Sequence, residues 1–227
     1  MATDILLSPA FIASAVITGG VGGYAYVYLP VQMRKAYRQS LMTLASAVET
    51  KDRSSIGHGR RVAELVIATA KQMRLSRKEH TKMEYAALLQ DIGNVRVPHS
   101  ILNTSDSLTP EQFEIVRNHT LIGADIVEQI TFLRHISPII RHHHEFWDGS
   151  GYPNGLKGSR IPLGARIIAV CTAYDAMIHE KPYRAAIDQD ETIRTIRAAA
   201  GVKYDPAVVD AFLKALKKRL REEKPDH

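Results

Sequence analysis

The sequence contains little cysteine and shows no internal repeat, and each absence narrows the range of architectures. Its one cysteine, Cys171, excludes an internal disulfide and fits a reducing compartment. No period of roughly 20–50 residues recurs along the chain, which excludes solenoid and propeller folds. Hydrophobic residues make up 45% and charged residues 24% of the 227 residues, a balance typical of a globular protein. The length predicts one domain with an appendage.

Charged side chains are absent from residues 5–33. This stretch exceeds the ~20 apolar residues that cross a bilayer, and it lacks the positive leading region of a secretory signal. Arg34, Lys35 and Arg38 follow it, and positive charge marks the cytoplasmic side of a span. We therefore predict a single membrane span over residues 1–33, with the rest of the chain facing the cytoplasm.

Two features leave an alternative to this span open. Pro9 and the glycines between Gly19 and Gly23 disturb a regular helix, so the stretch could instead pack on the domain. The spacing of Gly19 and Gly23 also allows two membrane helices to approach closely, which makes a homodimer an expectation. Residues 34–52 predict a linker helix that transmits a signal, supports dimerisation or covers the domain core.

Positive charge exceeds negative charge, and the formal net charge is +6. Much of the excess lies in residues 214–221 and around Arg34. Such clusters attract anionic lipid or phosphate. For residues 214–221 we favour the simpler interpretation, a solvated helix face.

Three consecutive histidines, at positions 142–144, run into a loop rich in glycine that contains the one tryptophan, Trp147. Neutral imidazole is the commonest metal ligand in proteins. Adjacent histidines reach one ion only from a terminal position such as a helix end. A solvated histidine cluster before a surface turn is the alternative, but histidines and an aspartate elsewhere favour a metal site.

Apolar residues at helical spacing recur through the rest of the chain. His58 opens one predicted helix, whose apolar face is formed by Val62, Leu65, Val66, Ala70 and Met73. Residues 163–178 predict a buried helix. Thr109 and Gln112 flank Pro110 as a helix start, with a capping residue and a glutamine three positions later. Asp91 follows an apolar helix and is either a cap for the next turn or an inward ligand.

Several motifs in order resemble one known family. They are HGRRVA from position 58, LLQDIGN from 88, VPHSIL from 97, HHEFWDGSGYPNG from 143, YDAMIHEKPYR from 174 and GVKYDPAVV from 201. The chain is identified as a member of the HD-GYP domains, metal-dependent phosphohydrolases of the HD superfamily that hydrolyse the bacterial second messenger cyclic di-GMP. The resemblance implies an all-α bundle, here over residues 53–223 with a tail at 224–227, and the predicted span adds the expectation that it lies at the bacterial cytoplasmic membrane. It gives no reason to expect a DNA partner.

The resemblance also implies two metal sites that share an aspartate. The positions of the first site are those of His58, Gln90, Asp91 and Thr172, and those of the second are Asp91, His119, His143 and His144. The family has histidine where this chain has Gln90 and aspartate where it has Thr172. A neutral amide or hydroxyl oxygen is a poor ligand for a transition metal. We therefore expect one divalent ion, of Fe, Mn or Zn, at the second site.

Other family positions concern the ligand phosphates and the loop. Asn94 replaces a lysine, while Lys181 and Arg184 keep two cations that the family uses on phosphates. Asp175 lies one turn after Thr172, and we expect no rescue by it because the family has both aspartates. The loop of Gly151, Tyr152 and Pro153 borders the active site in the family and is implicated in binding diguanylate cyclase (GGDEF) domains.

Two functions from different classes follow as expectations. The one we favour is a membrane-anchored domain that binds cyclic di-GMP, a related nucleotide or a protein partner without catalysis, because the altered positions weaken both metal binding and phosphate binding. The alternative is a cyclic di-GMP phosphodiesterase with an altered metal centre, in which Asp91 would remain as the catalytic carboxylate.

Overall fold

A computed structural model describes residues 9–52, 55–104, 106–180 and 184–222 of the chain. The α-helices in these ranges are α1 (Pro9–Gly23), α2 (Leu29–Glu49), α3 (His58–Gln72), α4 (Arg77–Leu89), α5 (His99–Leu102), α6 (Pro110–Arg117), α7 (His119–Glu128), α8 (Ser137–Arg141), α9 (Leu163–Ile178), α10 (Gln189–Ala198) and α11 (Pro206–Glu222). A π-helix covers Tyr24–Tyr28, and 3-10 helices cover Ile92–Arg96, Arg134–Ile136 and Gly158–Arg160. No β-strand occurs in the described ranges, which confirms the predicted all-α fold.

The chain divides into two compact units, and the division falls between Leu41 and Met42. Over residues 9–40 the apolar side chains are exposed, among them Val16 and Val27. The helical stretch Pro9–Glu49 is able to cross a membrane by length and composition. The first eight residues of the predicted span lie outside the described residues.

The second unit is built around α3. This helix packs against α4, α9 and α11. Val62, Val66 and Ala70 on its apolar face have no exposed area, as the spacing predicts, whereas Met73 is half-buried. Helices α9 and α11 meet through Tyr174 and Phe212, whose ring centroids lie 5.2 Å apart. Burial of each large apolar side chain stabilises such a core by about 1.5–3 kcal/mol.

Polar side chains cap two of the surrounding helices, at Thr109, as the sequence predicts, and at Asp205. Thr109 accepts a hydrogen bond from the backbone N–H of Gln112, whose side chain accepts from the Thr109 N–H in return. Asp205 accepts from the N–H of Ala207 at the start of α11. Each such cap satisfies helix N–H groups that have no partner within the helix.

The segment after Asp91 is more regular than its sequence predicts. The pattern of residues 95–98 and 101–102 predicts an irregular connection, but a 3-10 helix covers Ile92–Arg96 and α5 covers His99–Leu102. The ammonium group of Lys51 explains part of this order, because it donates to the carbonyl oxygens of Asn94, Val95 and Val97 over 2.8–3.3 Å. Lys51 therefore holds the turn that follows Asp91.

The end of α2 also holds the beginning of α3. The carboxylate of Glu49 accepts hydrogen bonds from the backbone N–H groups of Gly57 and Gly59 at 2.7 and 2.8 Å. A carboxylate at a helix N-terminus satisfies free N–H groups and complements the helix dipole. Glu49 thus contacts the residues on either side of His58, and Lys51 contacts the residues just after Asp91.

Candidate metal centre

Three histidines lie together because each is placed at a helix end. His143 and His144 follow the last residue of α8, and His119 is the first residue of α7. The Nδ1 atom of His119 donates to the carbonyl oxygen of Val116, and that of His143 donates to Ile140, each over 2.6 Å. These contacts fix both rings, as a hydrogen bond from the second ring nitrogen commonly does for metal-binding histidines.

One nitrogen from each of His119, His143 and His144 lies within 4.8 Å of the others. The Nε2 atoms of His119 and His143 carry lone pairs, since their Nδ1 atoms are the donors, and they face each other across 3.4 Å. Two acceptors at this distance repel unless a cation lies between them. The donor set therefore fits a divalent metal ion.

Burial keeps the imidazoles of His143 and His144 in the neutral form that binds metals. Burial, followed by the nearby His119, lowers the pKa of His143 to about 4 against the opposing pull of Asp91. Burial and the neighbouring His143 hold the pKa of His144 well below its ordinary value. Neutral imidazoles are the metal-binding form, so no proton has to be displaced from these two rings at neutral pH.

Asp91 lies between this cluster and His58. Its Oδ1 atom is 3.6 Å from Nε2 of His119, and its Oδ2 atom is 3.9 Å from Nε2 of His58. Burial acts to raise the pKa of Asp91, but the imidazoles of His119, His58 and His143 outweigh it and lower that pKa. The side chain forms no helix cap, so of the two sequence interpretations the structure places it inward.

A close backbone contact brings Asp91 to His119. A Cβ atom added to Gly93 would lie 2.0 Å from the carbonyl oxygen of His119 and 2.8 Å from the nitrogen of Gly123. Only glycine allows this approach. Gly93 therefore allows the turn that carries Asp91 to lie close to His119.

The positions of the first implied site form a different arrangement. Gln90 is 1% exposed, and its Nε2 atom lies 3.0 Å from Nε2 of His58 and 3.2 Å from Oδ2 of Asp91. The hydroxyl group of Thr172 donates to Oε1 of Gln90 over 2.8 Å. An amide nitrogen that donates hydrogen bonds cannot coordinate an ion, so these residues do not fit a metal as they stand.

Asp175 contacts the side of the His58 ring opposite to Gln90. Its carboxylate accepts from Nδ1 of His58 at 2.7 Å and from both Nε and a terminal nitrogen of Arg61 at 2.8 and 2.9 Å. Burial would raise the pKa of Asp175, but the hydrogen bonds from His58 and Arg61 lower it to about 2. Sequence reasoning missed Arg61, whose position one turn after His58 on α3 was the available signal.

The loop after the histidines folds back onto them. Tyr152 donates its backbone N–H to the carbonyl oxygen of His144, and the two rings stack with centroids 4.9 Å apart. A Cβ atom on Gly151 would lie 2.5 Å from that same oxygen. The guanidinium of Arg117 lies over the Tyr152 ring, 4.6 Å from its centroid. This places the Gly151-Tyr152-Pro153 loop at the edge of the cluster.

The buried carboxylate of Glu145 fixes the far side of this loop. It accepts from the backbone N–H groups of Asn154 at 2.8 Å and Leu156 at 3.0 Å. Sequence analysis did not single out Glu145, although an acid between the histidines and a turn-rich loop was a signal. His142 lies 3.5 Å from the same carboxylate, apart from the other two histidines of the run.

The remaining positions that the sequence singles out are Lys181, Arg184 and Asn94. Lys181 is outside the described residues. Arg184 donates to the carbonyl oxygen of Ala176. Asn94 is half-buried, and its carbonyl oxygen accepts from Lys51. The structure therefore groups His119, His143, His144 and Asp91, and the amide of Gln90 connects His58 to Asp91.

This all-α fold and its cluster of histidines and an aspartate at helix ends together define a class of metal-binding domain. A model of the HD domain family matches residues 42–208. The chain therefore belongs to the HD domain family, and its histidine–glycine–tyrosine–proline region is of the HD-GYP type.

Curated relatives agree with this assignment. The chain is 40% identical over 173 residues to a cyclic di-GMP phosphodiesterase of Thermotoga maritima, covering 73% of this chain and 46% of the relative. It is 35% identical over 185 residues to the cyclic di-GMP phosphodiesterase response regulator RpfG of Xanthomonas campestris, covering 81% and 49%. The chain thus spans about half the length of these relatives.

Solved structures show the same fold. A cyclic GMP-AMP-specific phosphodiesterase of Vibrio cholerae matches with a TM-score of 0.62 at 21% identity, covering 79% of this chain and 48% of that one. An HDG"Y"P protein from Bdellovibrio bacteriovorus matches with a TM-score of 0.60 at 23% identity, covering 87% and 64%.

Proposed function

We propose that this chain is a membrane-anchored HD-GYP-type domain in cyclic di-GMP signalling, with one divalent metal ion and little or no hydrolytic activity. It binds cyclic di-GMP, a related nucleotide or a protein partner. The observation that carries the proposal is the hydrogen-bonded group of His58, Gln90 and Thr172, whose positions the family resemblance assigns to ligands of a first metal.

The ion is assigned to His119, His143, His144 and Asp91. Support comes from the three nitrogens within 4.8 Å and from the carboxylate beside His119. A bound divalent ion of Fe, Mn or Zn would supply positive charge for a nucleotide phosphate. Two-metal phosphoesterases use both ions to activate water and stabilise charge, so loss of one removes half of this machinery.

Membrane anchoring is supported by the N-terminal region. Residues 5–33 carry no charge, the described apolar side chains there are exposed, and Arg34, Lys35 and Arg38 follow. We place the domain on the cytoplasmic side for this reason. Fractionation of cells that express the full chain tests it, and recovery of all the protein in the soluble fraction would overturn the anchor.

A second candidate function is a phosphodiesterase with an altered metal centre. It is favoured by the 40% identity to a protein named cyclic di-GMP phosphodiesterase and by the intact histidine cluster. In this case Asp91 and the single ion would act alone. Turnover of cyclic di-GMP by the unmodified chain, measured at several metal concentrations, separates the two candidates.

Restoration of the altered positions is the sharper experiment. We expect hydrolysis to rise in the triple variant Gln90→His, Thr172→Asp and Asn94→Lys, and to stay low in either single ligand variant, because half a site holds no ion. Strong hydrolysis by the unmodified chain would defeat the proposal. No activity in the triple variant would instead favour binding of a diguanylate cyclase partner through the Gly151-Tyr152-Pro153 loop.

Metal content is the companion measurement. Purification without added metal should yield at most one ion per chain. His143→Ala should remove it, whereas His58→Ala should change the content much less. Two stoichiometric ions per chain would refute the single-ion assignment.

A further inference from the structure

Gln90 and Thr172 contact each other as well as their neighbours, and this mutual contact has a consequence beyond the loss of two ligands. Thr172 on α9 donates to Oε1 of Gln90, while Nε2 of the same amide faces His58 and Asp91. One side chain thus connects α9, α3 and the turn that carries Asp91.

We infer that Gln90 and Thr172 form a metal-free bridge that takes the place of an ion between His58 and Asp91 and sets the direction of the Asp91 carboxylate. Gln90 is therefore a positioning residue for Asp91. The inference concerns the metal-free protein, and it rests on the proposed single-ion site only for its effect on metal affinity.

The orientation of the Gln90 amide follows from its neighbours. An ionised Asp91 carboxylate only accepts hydrogen bonds, so the amide must present N–H rather than oxygen to it. The opposite end of the amide is then the oxygen, which is the atom that the Thr172 hydroxyl needs as an acceptor. Both contacts therefore require the same orientation, which removes the ambiguity that an isolated amide would have.

The protonation of His58 follows from the same geometry. Asp175 accepts from Nδ1 of His58 at 2.7 Å, so Nδ1 carries the proton. Nε2 faces the N–H of Gln90 at 3.0 Å, so it is the acceptor of that hydrogen bond. Donors and acceptors alternate without conflict from Arg61 through Asp175, His58 and Gln90 to Thr172.

The bridge uses the lone pairs that an ion would need. Nε2 of His58 accepts from the amide, and so does Oδ2 of Asp91. Because Gln90 is buried and neutral, the bridge adds no net charge beside Asp91 and the histidines. With Oδ2 held by Gln90, the Oδ1 atom of Asp91 is directed toward His119, 3.6 Å away.

The two substitutions are complementary rather than independent losses. An amide oxygen in a buried place needs a donor, and Thr172 supplies one. Aspartate at position 172 would instead place an acceptor against the Gln90 oxygen. Each altered residue thus satisfies the other, which predicts that their effects on the site are coupled.

The test uses the full chain in detergent micelles and two readouts. The first is the ¹⁵N spectrum of His58 in metal-free protein, assigned by comparison with His58→Gln. We expect the neutral Nδ1–H form in the wild type. Gln90→Met, which removes the N–H donor to Nε2, should shift the His58 Nε2 resonance, and Thr172→Val should shift it in the same direction.

The second readout is the dissociation constant for Zn²⁺, measured by competition with a chromophoric chelator. Gln90→Met and Thr172→Val should each weaken binding about tenfold, the lower end of the effect of such supporting groups. The double variant should weaken it by the same tenfold, because each substitution alone breaks the bridge. Thr172→Ser keeps the hydroxyl and should behave as the wild type.

Three results would overturn the bridge: an unchanged His58 spectrum in Gln90→Met, a Thr172→Ser variant that matches Thr172→Val, or a double variant weakened about a hundredfold, which is the value for independent effects. Failure of the wild type to bind Zn²⁺ would contradict the single-ion proposal instead. The His58 spectrum would then still decide whether the bridge exists.

Discussion

The imidazole of His144 stacks on the ring of Tyr152, with centroids 4.9 Å apart and ring planes inclined by 20°. Burial raises the pKa of Tyr152, and the nearby Asp91 raises it further, so its hydroxyl stays neutral at physiological pH. Tyr152 therefore acts here through its ring rather than through charge. The Gly151-Tyr152-Pro153 loop and the histidine cluster are in direct contact at this pair.

Replacement of the Tyr152 ring tests the contribution of this stack. Tyr152→Ala removes the surface against which His144 rests, so we expect Zn²⁺ affinity to fall about tenfold. Tyr152→Phe keeps the ring and should stay close to the wild type. Equal losses in the two variants would show that the hydroxyl, and not the stack, matters.

A methyl group at Gly93 should disturb the site more than one at any exposed glycine. In Gly93→Ala the new Cβ meets the backbone of His119 at 2.0 Å, and backbone atoms cannot rotate away. We expect a loss of about 3 kcal/mol or more in the free energy of unfolding, because overpacking costs about 1–3 kcal/mol even where side chains can adjust. Urea unfolding followed by circular dichroism measures it.

Two glycines provide a graded comparison for that variant. Gly123→Ala meets its nearest atom, in the side chain of Ile140, at 3.1 Å and should cost less. Gly22→Ala has nothing within 4 Å of the new atom and should be nearly neutral in this assay. A Gly93→Ala protein as stable as Gly22→Ala would contradict the close approach of the two segments.

Loss of the Glu145 carboxylate should release the loop. In Glu145→Gln one acceptor oxygen becomes a donor that faces a backbone N–H, so a buried group loses its partner. We expect a loss of about 1–3 kcal/mol in the free energy of unfolding and faster proteolysis within residues 149–157. Glu64→Gln, at a partly exposed glutamate, should change stability by no more than about 0.5 kcal/mol. Unchanged proteolysis in Glu145→Gln would show that the Glu145 carboxylate does not hold the loop.

Cys171 should make the free energy of unfolding depend on pH in the alkaline range. Burial raises the pKa of its thiol to about 12 from 9.0, although the hydrogen bond with Thr69 opposes the shift. Above pH 9 the unfolded chain loses this proton while the folded chain keeps it. The folded state then binds more protons, so the free energy of unfolding falls as pH rises, by up to about 1.4 kcal/mol per pH unit between 9 and 12.

Comparison with Cys171→Ala isolates this effect from the titration of tyrosines and lysines. The stability of the wild type relative to the variant should be constant below pH 9 and should decline above it. A difference that does not change between pH 8 and pH 11 would contradict a buried neutral thiol.

Much of the helical architecture follows from the sequence because its causes are local. The face of Val62, Val66 and Ala70 shows a 3.6-residue period, and the capping pair of Thr109 and Gln112 marks a helix start within four residues. Such patterns depend on neighbours in the chain. They predicted buried faces and helix starts that the structure also has.

The contacts of the candidate site depend instead on residues far apart in sequence. In the sequence, Gln90 and Thr172 each indicate a lost ligand. Their hydrogen bond depends on the packing of α9 beside the end of α4, which the sequence does not reveal. The pairing of His58 with Asp175 is of the same kind, since 117 positions separate them. Sequence patterns cannot specify such pairs, because they have no periodic signature.

The contacts of Glu49 and Lys51 bear on where this domain can be cut. A chain shortened to begin at residue 53 would lack the carboxylate that caps α3 next to His58. It would also lack the ammonium group that gathers the three carbonyl oxygens behind Asp91. The last turn of α2 and the residues just after it therefore support the candidate metal centre. A shortened chain should begin upstream of them, at or before Met42.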